Sequence, residues 1–451
     1  MKTVTCFIVI LFFSILVSCT KKDNPQKVEP DPIPPVEFSI PQTKDIVMYE
    51  INLRAYSNSG DIHGVTMGLD KIKALGVNVI WLMPVYPIGE LHSVNSPYSV
   101  KNYTEVNPEF GTLSDLQTLV SEAHSKGMAV ILDWVANHTA WDHSWISNPD
   151  WYTRDANGNI VIPPGTNWQD VADLNYDNQE MRLKMIESMK FWIDTADIDG
   201  FRCDAADMVP YDFWQQANEA LVSFTTKDLI MLAEGNRNDH FSAGFDLNFS
   251  WDFYNQIKKV FNGTSTVSSL FSTNNTEYNN LPDRKHKLRF TTNHDESAWD
   301  ATPMVLFNGK SGALAASAIT IFLGGVPLIY GGQEVGVEEN IPFFSNSPIN
   351  WSLNPDMLDD YTKMLHFYDS SKVVKEGVLS IYDHASVAAF SFRLDTEVVL
   401  ILVNTKNAVV SYTIPGDLAN TNWTEALSDV SITLACELEL TPYEFLILKN
   451  N

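Results

Sequence analysis

Basic residues are scarce in this 451-residue chain: 30 Lys and Arg stand against 56 Asp and Glu, a formal net charge of -26. A phosphate backbone or an anionic membrane surface is bound through Lys/Arg patches, and no such patch is found, so nucleic acid is excluded as a partner and a neutral substrate is easier to reconcile. The acidity itself carries no functional weight, because it also keeps an extracellular protein soluble. Cysteine is scarcer still, with 4 in the chain. Apart from the N-terminal ones, Cys203 and Cys436 lie far apart in sequence and form no CxxC pair, which leaves neither a disulfide framework nor a cysteine metal site. Long apolar runs are lacking too. The run from Val4 to Val17 is too short to span a bilayer.

What is present is the profile of a packed globular enzyme, 45% hydrophobic and 12% aromatic with charges of both signs. The length suits a barrel of about 250 to 400 residues plus a smaller module. Lys2, the apolar run and Leu16-Val17-Ser18-Cys19 read as a signal peptide over residues 1–18. Its end resembles a bacterial lipobox, which implies an exported protein whose Cys19 carries the membrane-anchoring lipid, on the periplasmic or cell-surface side. Residues 19–42, with Pro25, Pro30, Pro32, Pro34, Pro35 and Pro41, read as an extended tether.

From residue 46 onward, short β-branched or aromatic runs alternate with segments of helical period, which implies βα units and a parallel sheet. The expected strands are Ile46–Leu53, Asn78–Pro84, Ala129–Trp134, Gly200–Asp204, Leu229–Glu234, Phe245–Phe249, Leu288–Asn293 and Pro327–Gly331. Helices are expected at Leu69–Leu75, Ser114–Lys126 with Ser114 as N-cap, Asn178–Ala196, Tyr211–Phe224, Trp251–Phe261, Ser265–Phe271, Gly312–Phe322 and Tyr361–Val374. The fold class is α/β, an eight-stranded (β/α)8 barrel over residues 43–375. An irregular Trp/Asn/Asp/Pro-rich stretch after strand three is too long for an ordinary βα loop and reads as an inserted domain over 138–177, a wall of the active-site cleft. Repeated short strands over 376–451, among them Val387–Arg393, Val398–Val403 and Val409–Ile414, indicate a closing antiparallel β-sandwich domain.

In such a barrel the polar residues at the strand C-terminal ends face a common cleft. Four clusters fall there: Asp133 with His138, Arg202 with Asp204, Glu234, and His294 with Asp295. Arg202 and Asp204 are two apart on a strand and so share a face, where a guanidinium keeps the carboxylate ionised. An ionised, positioned aspartate is what a covalent glycosidase uses at the anomeric carbon. Glu234 ends an almost wholly apolar strand, where desolvation is expected to keep it protonated as a general acid, so the two environments are expected to push the acids in opposite directions. Asp295 is then suited to gripping sugar hydroxyls, with His138 and His294 donating to the same sugar. Taken singly, each residue is more often structural: an Arg–Asp pair is usually an ion pair and a Glu closing a strand is usually a solvated end. Their joint occurrence at the ends of strands three, four, five and seven favours a site.

These motifs resemble the α-amylase family of glycoside hydrolases over roughly residues 45 to 450. The resemblance rests on Gly200–Asp207, the strand ending in Glu234, Asn293-His294-Asp295, Asp173-Leu174-Asn175, Gly325–Glu334, and Pro97-Tyr98 with Tyr103 and Gly111-Thr112. It implies Asp204 as nucleophile, Glu234 as acid/base and Asp295 as transition-state stabiliser, with Tyr98 stacking on the sugar and His138 bonding its primary hydroxyl. It also implies retention of configuration, an α-glucan or maltooligosaccharide substrate, and a structural Ca2+ with Asn137 as ligand. Asp170 would supply a carboxylate and Met208 a backbone carbonyl. Asn137 is equally well read as a loop hydrogen-bonder without metal. One departure is Asp207-Met208, where many starch-cleaving members carry Lys-His on the leaving-group side. The readings left open are hydrolysis of starch-like glucans, transglycosylation or oligosaccharide-specific α-glucosidase action, and a glycan-binding protein without chemistry. The last is disfavoured because all three acids are present.

Overall fold

The computed structural model describes residues 38–279 and 281–450. The expected leader, Cys19 and the tether as far as residue 37 lie outside the described residues. Phe38 and Ile40, still within the expected tether, already pack on the barrel, with the Phe38 ring stacked 4.0 Å from that of His124. No helix among the described residues is long and apolar enough to cross a membrane.

In chain order the strands are β1 (Met48–Ile51), β2 (Val79–Leu82), β3 (Ala129–Trp134), β4 (His138–Ala140), β5 (Val171–Asp173), β6 (Gly200–Cys203), β7 (Ile230–Ala233), β8 (Leu247–Phe249), β9 (His286–Arg289) and β10 (Val326–Tyr330). Eight of them close a parallel barrel in the order β1-β10-β9-β8-β7-β6-β3-β2. The alternation of side chains along each strand sorts residues to two cores. Met48, Val79, Trp81, Ile131, Leu232, Phe249 and Leu328 fill the interior, while Tyr49, Ile80, Leu132, Phe201, Met231 and Ile329 face the helical layer. Continuing the inward parity to the strand C-terminal ends reaches Glu50, Asp133, Arg202, Asp204 and Glu234. Register then sets them side by side, with Asp133 opposite Arg202 and Glu50 opposite Trp81 and Tyr330.

Most expected elements form, with informative shifts. The seventh barrel strand is β9, His286–Arg289, not Leu288–Asn293, and only Leu288 and Arg289 of it pair with β10. Asn293 instead caps the helix His294–Trp299, its side chain accepting from Glu296 N at 2.9 Å, so the chain must leave the ladder before it. The expected Leu69–Leu75 helix spans Ile62–Ala74, started by Asp61 accepting from Gly64 N at 2.8 Å. Gly68 obscures it in the sequence, and glycine is there because a Cβ would lie 2.2 Å from the Tyr56 hydroxyl. The expected Ser114–Lys126 helix spans Leu113–Ser125, and its cap is Thr112, in a capping box with Asp115, rather than Ser114. Ser265–Phe271 is in fact Val267–Tyr278, and Tyr361–Val374 is two helices, Pro355–Ser370 and Lys372–Glu376, divided where Ser371 caps the second.

The 138–177 excursion carries β4 and β5, paired antiparallel with His138 opposite Asp173. Beyond the barrel follow β11 (Val378–Tyr382), β12 (Val387–Leu394), β13 (Glu397–Asn404), β14 (Val410–Thr413), β15 (Thr421–Glu425), β16 (Ser431–Leu434), β17 (Glu437–Leu440) and β18 (Phe445–Asn450). Six form an antiparallel sheet in the order β11-β12-β13-β18-β15-β16, and β14 pairs with β17. Alternate residues of β12 serve two sides: Ala388, Phe390 and Phe392 join the core of the barrel's helical layer, whereas Val387 and Ala389 join one with Tyr412 and Leu440.

Candidate active site

The centre of the site is the fully buried Arg202. Its Nη1 donates to Asp133 Oδ1 at 2.7 Å and to Asp204 Oδ1 at 3.1 Å. Its Nη2 lies 2.8 Å from Glu234 Oε2, an ion pair out of line for a hydrogen bond. The guanidinium is also stacked over Trp81, 4.9 Å from the ring centroid. One cation therefore faces three carboxyls from three neighbouring strands. Gly200 makes this close spacing of β6 and β7 feasible: its φ is +145°, and a Cβ there would stand 2.0 Å from Ile230 O.

This arrangement corrects the expectation that the two acids occupy opposite environments. Burial pushes both Asp204 and Glu234 upward, Arg202 pulls both down, and the surrounding carboxylates add to the upward push. Asp133 is raised by burial as well, but it accepts from Arg202, from Trp81 Nε1 at 3.0 Å and from the Tyr98 hydroxyl at 3.0 Å, the donor set of a stable anion. Both groups are thus pushed toward the protonated form while one guanidinium opposes that push, which favours a single proton shared between these two neighbouring carboxyls. Ala205 N donates to Glu234 Oε2 at 2.8 Å, the oxygen nearest Arg202, which leaves Oε1 as the one able to carry that proton.

Across the cleft, His294 bridges several groups. Its Nδ1 lies 2.5 Å from Glu50 Oε1, while Nε2 is 2.8 Å from the Tyr98 hydroxyl and 3.3 Å from Asp295 Oδ2. Burial alone would lower its pKa, but the charges of Asp295 and Glu50 outweigh that and raise it to about 9. Asp295, with 40% of its side chain exposed, is the most open of the three acids; Glu234 and Asp204 expose 16% and 12%. The Tyr98 ring stacks on His294 at 5.3 Å. His138 is held neutral by burial, its pKa lowered to about 4, and its ring meets exposed Trp168 at 5.4 Å.

The expected catalytic and sugar-binding residues are thus brought to one rim. The expected metal ligands are less clearly joined. Asn137 Nδ2 faces His138 Nδ1 at 3.2 Å, and Met208 ends a short 3-10 turn with its side chain exposed. The Asp170 carboxyl is buried, and no side chain among the described residues bonds to it. Among the described residues no group of three or more His, Cys, Asp or Glu is disposed to hold a metal. Protein bonds already pin this region, through Leu174 N to Asn137 O at 3.2 Å and the Tyr176 hydroxyl to Ala136 O at 2.6 Å. Asp207, the departure from the family pattern, is also engaged: it accepts from Asn236 N at 3.0 Å and Arg237 N at 3.2 Å, tying the turn after β6 to the turn after Glu234.

Sequence reasoning missed Glu50 and Trp81. The available signal for Glu50 was a lone acid inside the apolar run Met48-Tyr49-Glu50-Ile51. The Gln333-Glu334 end of the glycine-rich turn is directed instead into the helical layer around the barrel, where Gln333 Nε2 donates to the Tyr361 hydroxyl at 3.0 Å and Glu334 accepts from the Tyr49 hydroxyl at 2.5 Å and from Gly332 N at 2.9 Å.

The family described as "Alpha amylase, catalytic domain" matches residues 35–158 and 165–375, well over half of the chain. The chain belongs to the α-amylase family of glycoside hydrolases. Among curated relatives, Alpha-amylase 3 of Dictyoglomus thermophilum is 28% identical over 370 residues, 72% of this chain and 70% of that one. The oligo-1,6-glucosidase of Parageobacillus thermoglucosidasius is 32% identical over a shorter span, 37% of this chain and 35% of its own. An α-amylase structure from Lactobacillus plantarum superposes with a TM-score of 0.82 at 28% identity, covering 91% of this chain and 100% of that one. Relatives with different specificities thus share the barrel, so this family membership narrows the chemistry to α-glucan hydrolysis without choosing a substrate length.

Proposed function

We propose that this α-amylase family member cleaves α-1,4-glucosidic bonds of starch, maltodextrin or a related glucan with retention of configuration. The observation that carries this reading is the single guanidinium shared by Asp133, Asp204 and Glu234. Two carboxyls on one guanidinium are in keeping with the separation of about 5 Å required by a double displacement. One proton on the pair is also the right inventory. The ionised Asp204 attacks the anomeric carbon as the glycosidic C–O bond breaks, and the Glu234 proton passes to the departing oxygen. Glu234, now a carboxylate, takes a proton from water, whose oxygen displaces Asp204 from the anomeric carbon. Asp295 and protonated His294 grip hydroxyls of the distorting ring, Tyr98 lies against it, and neutral His138 donates from the insertion side.

Relatives that include an α-amylase and an oligo-1,6-glucosidase support the bond class and leave room for the second reading, a transglycosylase or oligosaccharide-specific α-glucosidase. Digestion of starch, pullulan, cyclodextrin and maltooligosaccharides tests both, with products resolved over time and their anomers read by NMR. Hydrolysis with retention gives the α-anomer first; oligomers longer than the substrate indicate transfer; β-anomers appearing first reject the double displacement.

The same proposal includes three further parts. Residues 43–375 with the 138–177 insertion form the catalytic unit and 376–451 a C-terminal β domain. Cys19 carries the lipid of an exported, membrane-anchored protein, which loss of labelled palmitate in Cys19→Ser would test. A structural Ca2+ is held by Asn137, Asp170 and the Met208 carbonyl, supported by the buried Asp170 carboxyl, which no side chain among the described residues neutralises.

A further inference from the structure

Trp299 ends the helix that carries Asp295, and 66% of it is exposed. An indole buries more apolar area than almost any side chain, so one left this open beside a catalytic rim calls for a ligand. It is part of a built ledge. Its ring packs 5.8 Å from Phe343 and 5.5 Å from Phe344, which lie 4.8 Å apart. Phe343 in turn meets His294 at 5.2 Å and Tyr98 at 6.0 Å, so an unbroken aromatic path runs from the proposed sugar-cleaving centre to the rim.

The ledge is fixed before any ligand arrives. Arg54, itself buried, donates from Nη1 to Phe343 O at 2.9 Å, and Asn95 Nδ2 donates to Phe344 O at 2.6 Å. On the Trp299 side, Asn340 Nδ2 reaches Ala298 O at 2.9 Å. Among the described residues nothing accepts from the Trp299 Nε1–H. A pyranose matches these features: its C–H face lies on an aromatic ring while its hydroxyl edge takes the indole proton. Asp295, on the same helix, favours a neutral ligand over an anionic one, while Asp300 is already paired with Lys258 Nζ at 3.0 Å.

We propose that Trp299, backed by Phe343 and Phe344, is a stacking subsite for a glucosyl unit remote from the scissile bond, and that the substrate is a chain of several α-linked glucoses rather than a disaccharide. This rests on the α-glucan reading above and deepens it. Binding of maltose through maltoheptaose to Asp204→Asn protein, measured by calorimetry without turnover, tests it. Affinity rises with chain length, and adding Trp299→Ala removes most of that rise, lowering maltoheptaose affinity about tenfold while the maltose value shifts much less. Trp299→Tyr, which keeps a ring, retains most of the gain and controls for a folding defect. Equal losses at all lengths, or no loss, overturn the subsite. Concentration-dependent self-association that disappears in Trp299→Ala identifies a protein interface instead and also overturns it. If Asp204→Asn with Trp299 intact binds none of these sugars, the α-glucan reading falls first and takes the subsite with it.

Discussion

The carboxylate of Glu50 lies 2.5 Å from Nδ1 of His294, with both side chains fully buried at the mouth of the barrel. This contact and the Asp295 charge outweigh burial, so that His294 is a cation up to about pH 9 with its other nitrogen directed at Tyr98 and Asp295. Glu50 is a positioning residue acting through the imidazole. Glu50→Gln removes its charge while burial continues to pull downward, so the pKa of His294 falls and the alkaline limb of kcat/KM moves to lower pH. Glu50→Asp gives an intermediate profile. Because the folded pKa is raised above the ordinary 6.5, the stabilisation due to His294 is complete below that value and vanishes as pH rises through about 9. Asp133, Arg202, Tyr98 and Tyr330 also face this group, so an unchanged profile in Glu50→Gln would assign the limb to the Asp204–Glu234 pair instead.

Asp204→Asn removes the nucleophile and Glu234→Gln the proton source, and each lowers kcat on maltooligosaccharides by about 10³ or more. The two losses are separable. An aryl α-glucoside whose leaving group needs no proton restores the first step of Glu234→Gln, seen as a burst of phenol, and does not restore Asp204→Asn.

Arg202→Lys replaces a fork that reaches three carboxyls with a point charge that cannot. Asp133, Asp204 and Glu234 then repel one another in a buried site, and kcat falls by about 10² or more together with the melting temperature, read by calorimetry.

Gly200→Ala tests the barrel seam directly. A methyl group 2.0 Å from Ile230 O forces β6 and β7 apart, at a cost of about 3 kcal/mol or more in denaturant unfolding. The acids on those strands also separate, so residual activity falls even where the protein folds.

Calcium, if it binds through Asp170, raises the melting temperature of chelator-treated wild type in a saturable way and leaves Asp170→Asn unmoved. Equal response of the two proteins would remove Asp170 as a ligand.

The eight βα units were legible in the sequence because short apolar runs, buried on both faces in the barrel, alternate with segments whose apolar residues recur with a period near 3.6. Asp133, Arg202, Asp204 and Glu234 could be singled out because they stand at the C-terminal ends of apolar runs, where a charge is costly unless it faces a site, whereas Glu50, inside its run, was missed. The end of β9 was not legible. Phe290 to Thr292 continue an apolar, β-branched run, and only the capping of the next helix by Asn293 takes them out of the ladder. Nor could local pattern reveal that Arg202 reaches Glu234, because that contact joins residues 32 positions apart on the adjacent parallel strands β6 and β7.

The sequence by itself determined which segments could be strands or helices and that Arg202 and Asp204 share a face, because those follow from local geometry and the placing of apolar runs. The tertiary structure alone decided which charges meet. Pairing of β1 with β10 placed Glu50 against His294, and the side-by-side pairing of β3, β6 and β7 gave one guanidinium to three acids; burial there sets the protonation of each group through neighbours that no local stretch of chain contains.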